Sequence, residues 1–228
     1  MRLKIKLKKT NKELPINNQH IVAGYVHNLL GRDNEYHNSV SNYCISTVIG
    51  KLNKKTSSLM FSDNPCFYVT SEDAKFLNKI ITQAFSNKHK FYDGFEFEDF
   101  EFVHELFNNK FNRFNTLTPV LLKDDNDKEV TIKDKGYDKI LVNNTIKKLS
   151  NYNPKLDLSK FDMEIKHINK KYIPLKNGKA PCNASVIMVD VKANQEVAET
   201  LYNIGLGKST GYGFGTLYKN ENYKKYFK

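Results

Sequence analysis

The sequence predicts an α+β fold of two tandem β-α-β-β-α-β units, and three observations carry that prediction. Strand-like alternation and helix-period apolar stripes follow one another in similar order in both halves, more clearly in the first. The 228 residues, 39% of them hydrophobic, hold enough apolar material for real cores. A run near the end, Gly205-Leu206-Gly207-Lys208-Ser209-Thr210-Gly211-Tyr212-Gly213-Phe214-Gly215, gathers five of the chain's eleven glycines just as a last strand begins.

Residues 2–9 alternate strictly, with Leu3, Ile5 and Leu7 opposed to Lys4, Lys6 and Lys8, which predicts a half-buried strand with a cationic outer face. Pro15 ends the next turn. Asn17 or Asn18 can cap a helix that runs to about Leu30 and stops at Gly31. Its inward face is Ile21, Val22, Tyr25, Val26, Leu29 and Leu30. A polar segment through His37 follows, then strand-like stretches near 44–49, 58–61 and 66–69. Thr70 or Ser71 caps a second helix with the stripe Phe76, Leu77, Ile80, Ile81, Ala84 and Phe85, and residues 91–102 alternate strongly. This order is ferredoxin-like, and it assigns residues 1–112 to a first domain.

The second half, 113–228, reads as another such unit. Residues 114–122 and 130–132 look like strands around an acidic turn, Asp124-Asp125-Asn126-Asp127, and 137–149 looks like a helix. Residues 161–175 set Met163, Ile165 and Ile168 against Lys166, Lys170 and Lys171, the pattern of a basic hairpin. A buried strand (184–191), a helix (195–202), the glycine-rich run and a final strand (213–218) complete it.

The net charge is +11, with +4 in residues 1–50, +6 in 151–228 and only +1 between them. Basic ends suggest a face for a polyanion, nucleic acid first and an anionic membrane second; a lysine-rich, solvated surface is the plain alternative. Cys44, Cys66 and Cys182 are odd in number and far apart, which excludes a disulfide framework and a zinc site. The acidic turn reads as a solvated loop rather than a metal site, and no cofactor is expected. With no signal-like opening and no apolar stretch of membrane-spanning length, the expectation is a soluble, cytoplasmic protein without membrane contact.

Glycines at this density fit a backbone that takes positive φ or approaches another molecule closely, and a lysine among free amides can cradle phosphate. Gly207-Lys208-Ser209 is not a phosphate-binding P-loop, because position 202, where that motif needs glycine, is Tyr202, and the run follows a helix rather than a strand. Gly211-Tyr212-Gly213-Phe214 matches the aromatic strand of RNA-recognition motifs only in part, with Thr210 where a basic residue belongs and too little chain after it.

A better match is a helix, then Gly205-Leu206-Gly207, five intervening residues, Gly213-Phe214-Gly215 and a strand through Thr216-Leu217-Tyr218. This resembles the C-terminal signature of the CRISPR repeat-RNA-processing endoribonucleases, in the repeat-associated ferredoxin-like RNA-binding superfamily. The Leu14-Pro15 turn, the helix from Asn18-Gln19-His20 to His27-Asn28-Leu29-Leu30 and the segment Thr116-Leu117-Thr118-Pro119-Val120 resemble other parts of the same family.

The resemblance implies two ferredoxin-like domains that bind the CRISPR repeat in precursor RNA and cut it without a metal. The 2′-hydroxyl attacks its own phosphate, giving 2′,3′-cyclic phosphate and 5′-hydroxyl ends. A base, an acid and a cation are required, and histidine suits both proton roles. The family's position after the first helix is matched by His37, and its position on that helix's last turn by His27, so the pair is expected to be catalytic. RNA contacts are expected at Lys208, Ser209 and the amides of Gly205, Gly207, Gly211, Gly213 and Gly215, then at Lys166, Lys170 and Lys171 and at Lys51, Lys54 and Lys55. The resemblance also allows a non-catalytic repeat-RNA-binding subunit of a CRISPR effector complex, and a monomer or a homodimer.

Overall fold

Strict alternation does in the first strand what it predicts: Leu3, Ile5 and Leu7 are wholly buried between helices and sheet. The computed structural model describes residues 1–31, 36, 42–55, 58–87, 90–173 and 182–219. Its N-terminal half runs β1 (Arg2–Leu7), β2 (Leu14–Pro15), α1 (Gln19–Leu30), β3 (Tyr43–Ile45), β4 (Leu52–Lys55), β5 (Ser58–Phe61), β6 (Cys66–Ser71), α2 (Ala74–Asn87), β7 (Lys90–Tyr92) and β8 (Phe95–Val103). The sheet order β3-β6-β1-β8 is that of a ferredoxin-like unit; β7 is added at the edge beside β8, and β2, β5 and β4 form a small separate sheet.

The C-terminal half runs β9 (Asn112–Thr116), α3 (Tyr137–Tyr152), β10 (Asp162–Ile173), β11 (Cys182–Lys192), α4 (Gln195–Ile204), a 3₁₀ turn (Thr210–Tyr212) and β12 (Leu217–Lys219). Its sheet order, β10-β11-β9-β12, repeats the first, so each half sets the first and third strands of its ferredoxin-like unit side by side. The chain is thus an α+β protein of ferredoxin-like type, with one core built around Ile5, Phe67 and Phe76 and another around Phe114, Val189 and Leu201. Among the described residues no helix is long and apolar enough to cross a membrane.

Several expectations need correction. The cationic face of β1 is neutralised across the sheet: Lys8 pairs with Glu96 at 2.9 Å, Lys6 with Glu101 at 3.4 Å and Lys4 with Glu101 at 3.7 Å. The β1–β8 register, with Lys4 opposite Glu101 and Lys6 opposite Asp99, creates those pairs. Helix α2 is capped by Asp73, whose carboxylate accepts from the amides of Lys75 and Phe76, because β6 continues through Thr70 and Ser71. Phe85, placed in the core stripe, is 53% exposed. Residues 130–132 are not a strand: the Thr131 amide donates to the Asp134 carboxylate and starts a turn instead. The basic stretch 161–175 is not a hairpin in itself; residues 162–173 form one long strand whose antiparallel partner is β11.

Arg2 joins the halves. Its fully buried guanidinium donates to Thr70 Oγ1 on β6 at 3.1 Å and to the Leu217 carbonyl on β12, and it lies 4.0 Å from the centroid of the Tyr202 ring. Arg2→Met keeps much of the volume but strands that carbonyl, which predicts a loss of about 1–3 kcal/mol. A lowered urea midpoint at unchanged m would report it.

Candidate functional site

The glycine-rich run folds back on itself between α4 and β12. The Leu206 amide donates to the Gly215 carbonyl at 2.9 Å, and the Gly215 amide to the Pro119 carbonyl at 2.9 Å. Gly215 has φ +64°, and a Cβ there would lie on the Leu206 carbonyl, so only glycine fits. The Lys208 amide donates to the Leu121 carbonyl, that of Gly205 to Leu201, that of Tyr212 to Ser209 and that of Gly213 to Thr210. The expected phosphate cradle is therefore corrected for Gly205, Lys208, Gly213 and Gly215, whose amides are given to carbonyls of the protein. The side chains of Lys208 and Ser209 remain exposed at the tip, flanked by Gly207 and by the buried Gly211.

Two hydroxyls stitch this loop to β3. Thr210 Oγ1 donates to the Tyr43 carbonyl at 2.9 Å, and Thr216 Oγ1 to the Ile45 carbonyl at 2.8 Å. The stitching brings α1 against the loop. His27, on the last turn of α1, has its Nε2 3.2 Å from the Tyr43 hydroxyl. Its ring meets Tyr212 edge to face, with centroids 5.9 Å apart and planes at 89°. Tyr212 is itself 49% exposed. A histidine, two tyrosines and the loop tip thus meet at one place, contributed by both halves of the chain.

His37 lies outside the described residues. Its neighbour Tyr36 donates its hydroxyl to Asp73 at 2.9 Å and rests on Phe76 with ring centroids 4.8 Å apart, and Tyr43 lies 4.5 Å from the same ring. Of the other expected contacts, Lys51 is exposed, and Lys54 and Lys55 stand on β4 opposite Met60 and Leu59. Lys170 and Lys171 stand on β10 opposite Ser185 and Ala184. Lys166 pairs with Glu164 at 2.5 Å and lies 3.9 Å from Asp190. Arg113 grips that same Asp190 through two nitrogens and holds its carboxyl below the usual range. Around Lys166, β10 is therefore charge-balanced rather than simply basic.

One residue escaped the sequence reading. Lys148, on α3, extends beneath the loop with its Nζ 2.7 Å from the Ile204 carbonyl, and burial lowers its pKa to about 8. It lines a cavity of about 530 Å³ with Asn144, Asn151, Lys208, Ser209 and Tyr212. The acidic turn borders the same space, but two of its three charges are answered: Asp125 pairs with Lys147 at 2.7 Å and Asp127 with Lys123 at 2.8 Å, which lowers both carboxyls. Nothing in local sequence marks Lys148, because its partners lie more than fifty residues further along the chain.

The family model described as CRISPR associated protein Cas6, C-terminal, matches residues 103–218. Among solved structures, one titled as a Cas6-related gene product from Pyrococcus furiosus is 20% identical with a TM-score of 0.80, covering 97% of this chain and 98% of that one. A structure titled as a RAMP protein binding different RNA substrates is 21% identical with a TM-score of 0.79, covering 96% and 99%. A third, titled CRISPR associated protein Cas6, is 17% identical with a TM-score of 0.79, covering 96% and 98%. These likenesses establish a common fold over nearly the whole length. No curated protein matches the sequence.

Proposed function

We propose a function from one premise: the chain belongs to the Cas6 family of CRISPR-associated proteins. On that premise the protein binds the repeats of CRISPR precursor RNA and cuts within them, without a metal, by attack of a 2′-hydroxyl on the adjacent phosphate. The observation that carries this reading is the placement of His27 against Tyr212 of the glycine-rich loop, with Tyr43 holding its Nε2. That contact puts a titratable ring beside the loop, which favours cutting over binding alone.

In the proposed reaction, the P–O2′ bond forms as the P–O5′ bond breaks. One histidine of the pair His27 and His37 takes the 2′ proton and the other protonates the departing 5′ oxygen, leaving a 2′,3′-cyclic phosphate and a 5′-hydroxyl. The charge that builds on the phosphorane needs a cation, and Lys208 at the exposed loop tip supplies it. Residues 1–112 act as the unit that carries the histidines, and 113–228 as the unit that carries the loop. Lys51, Lys54, Lys55, Lys170 and Lys171 extend the phosphate path. Such contacts position the strand, while sequence is read elsewhere on the RNA.

The test is an incubation of end-labelled repeat RNA with the protein in EDTA. Cleavage within the repeat that leaves a cyclic phosphate is the expected result. Cleavage that appears only when Mg²⁺ is restored would sink the proposed chemistry, and tight binding without a cut would leave an RNA-binding member of the family.

A further inference from the structure

Lys148 makes more of the loop's architecture than any side chain of the loop itself. Besides the Ile204 carbonyl, its Nζ lies 3.2 Å from the Gly205 carbonyl, 3.4 Å from that of Gly207 and 3.2 Å from Thr210 Oγ1. An ammonium has three protons, so these four acceptors use it fully. Two of them stand at the end of α4, where a helix leaves its last carbonyls unsatisfied and its dipole favours a cation. The others stand before and after Lys208 and Ser209. The lysine therefore gathers both shoulders of the exposed tip onto one point.

That arrangement is costly. Among the described residues no carboxylate lies within ion-pair distance of Lys148, and a half-buried charge held by carbonyls and a hydroxyl alone carries a desolvation cost. We propose that Lys148 is a positioning residue: its charged form clamps the loop so that Lys208 and Ser209 are held out toward an RNA phosphate. The proposal rests on the reading that this loop grips repeat RNA.

The clamp carries a pH signature of its own. Burial lowers Lys148 to about 8. Cys44 on β3 faces it, and burial pushes that thiol up. Lys208 on the loop opposes the ammonium; on the remaining side Lys147 of the same helix is occupied by Asp125, and Asp124 and Asp127 stand on the facing turn. As pH rises through 8 the ammonium loses its proton, the clamp slackens and RNA affinity falls. Stability moves the other way: between about 8 and the usual lysine value of 10.5 the folded chain holds fewer protons than the unfolded one, so this group makes folding more favourable as pH rises. A lysine that merely fills space would not lower affinity while stability rises.

The full chain, wild type and with Lys148→Gln or Lys148→Arg, is titrated from about pH 6.5 to 9.5 by amide NMR. Affinity for a 2′-O-methyl repeat RNA, which cannot be cut, is measured at each pH by fluorescence anisotropy. In the wild type the amides of Gly207 and Ser209 are expected to titrate with a midpoint near 8, and affinity to fall roughly three- to tenfold between pH 7 and 9. Lys148→Gln binds weakly at pH 7 with a flatter profile, and Lys148→Arg, still charged, holds its pH 7 affinity at pH 9. Loop amides that do not titrate, or an affinity slope that Lys148→Gln shares, would overturn the clamp. Amides that titrate in a protein binding no repeat RNA at any pH would support the clamp and overturn the RNA reading instead.

Discussion

His27→Ala is expected to slow repeat cleavage by about two to four orders of magnitude while leaving RNA affinity within a few-fold of the wild type. The expectation follows from where the ring sits. It is half-buried on the last turn of α1, its Nε2 is at hydrogen-bond distance from Tyr43, and its ring packs edge to face with that of Tyr212. Two neighbours from different elements fix one orientation, which is what a proton-transfer group needs and what a solvated histidine lacks. Affinity should survive, because the phosphate contacts assigned to Lys208 and Ser209 are made elsewhere. Tyr43→Phe separates position from chemistry: it keeps the ring of Tyr43 on Phe76 and removes only the hydroxyl. Single-turnover rates for that variant should fall between those of the wild type and His27→Ala. Equal rates in all three proteins would take the catalytic role away from His27.

How much of this was legible depends on how far each signal reaches. Alternation and helical stripes are local, so β1, β5, α1 and α4 stand close to where the sequence places them, and Gly31 stops α1 as expected. The glycine-rich run was legible too, because a loop that crosses its own path needs glycine at fixed points. Signals that depend on register were not. The β1 lysines look like a polyanion face until the pairing with β8 sets Glu96, Asp99 and Glu101 beside them. Lys166 is answered in the same way by Asp190 from the neighbouring strand β11. His27 could be proposed from its place on the helix, but its contact with Tyr212 joins residues at opposite ends of the chain. Lys148 sits in a helix with several lysines, and only the fold turns it inward.

Gly215→Ala is expected to cost about 3–5 kcal/mol, and Gly24→Ala to add about 0.5–1 kcal/mol, from the same added methyl. Gly24 is exposed in the interior of α1, and a Cβ there would meet nothing within 4 Å. Alanine at that position narrows the unfolded ensemble and costs the folded state nothing. At Gly215 the backbone is left-handed, and the Leu206 carbonyl occupies the space a Cβ needs. The methyl must push residues 206 and 215 apart, which breaks the Leu206–Gly215 and Gly215–Pro119 hydrogen bonds together. It also tilts the next residue, Thr216, whose hydroxyl donates to the Ile45 carbonyl and whose amide donates to the Thr118 hydroxyl. Damage at one glycine thus reaches β3, the strand that also presents Tyr43 to His27. Cleavage should therefore fall in Gly215→Ala even at temperatures where circular dichroism reports a folded chain, and Gly24→Ala should cut at the wild-type rate. A Gly215→Ala protein that melts and cuts like the wild type would mean that the loop has room to spare, and the close crossing at Leu206 would then carry no part of the site's geometry.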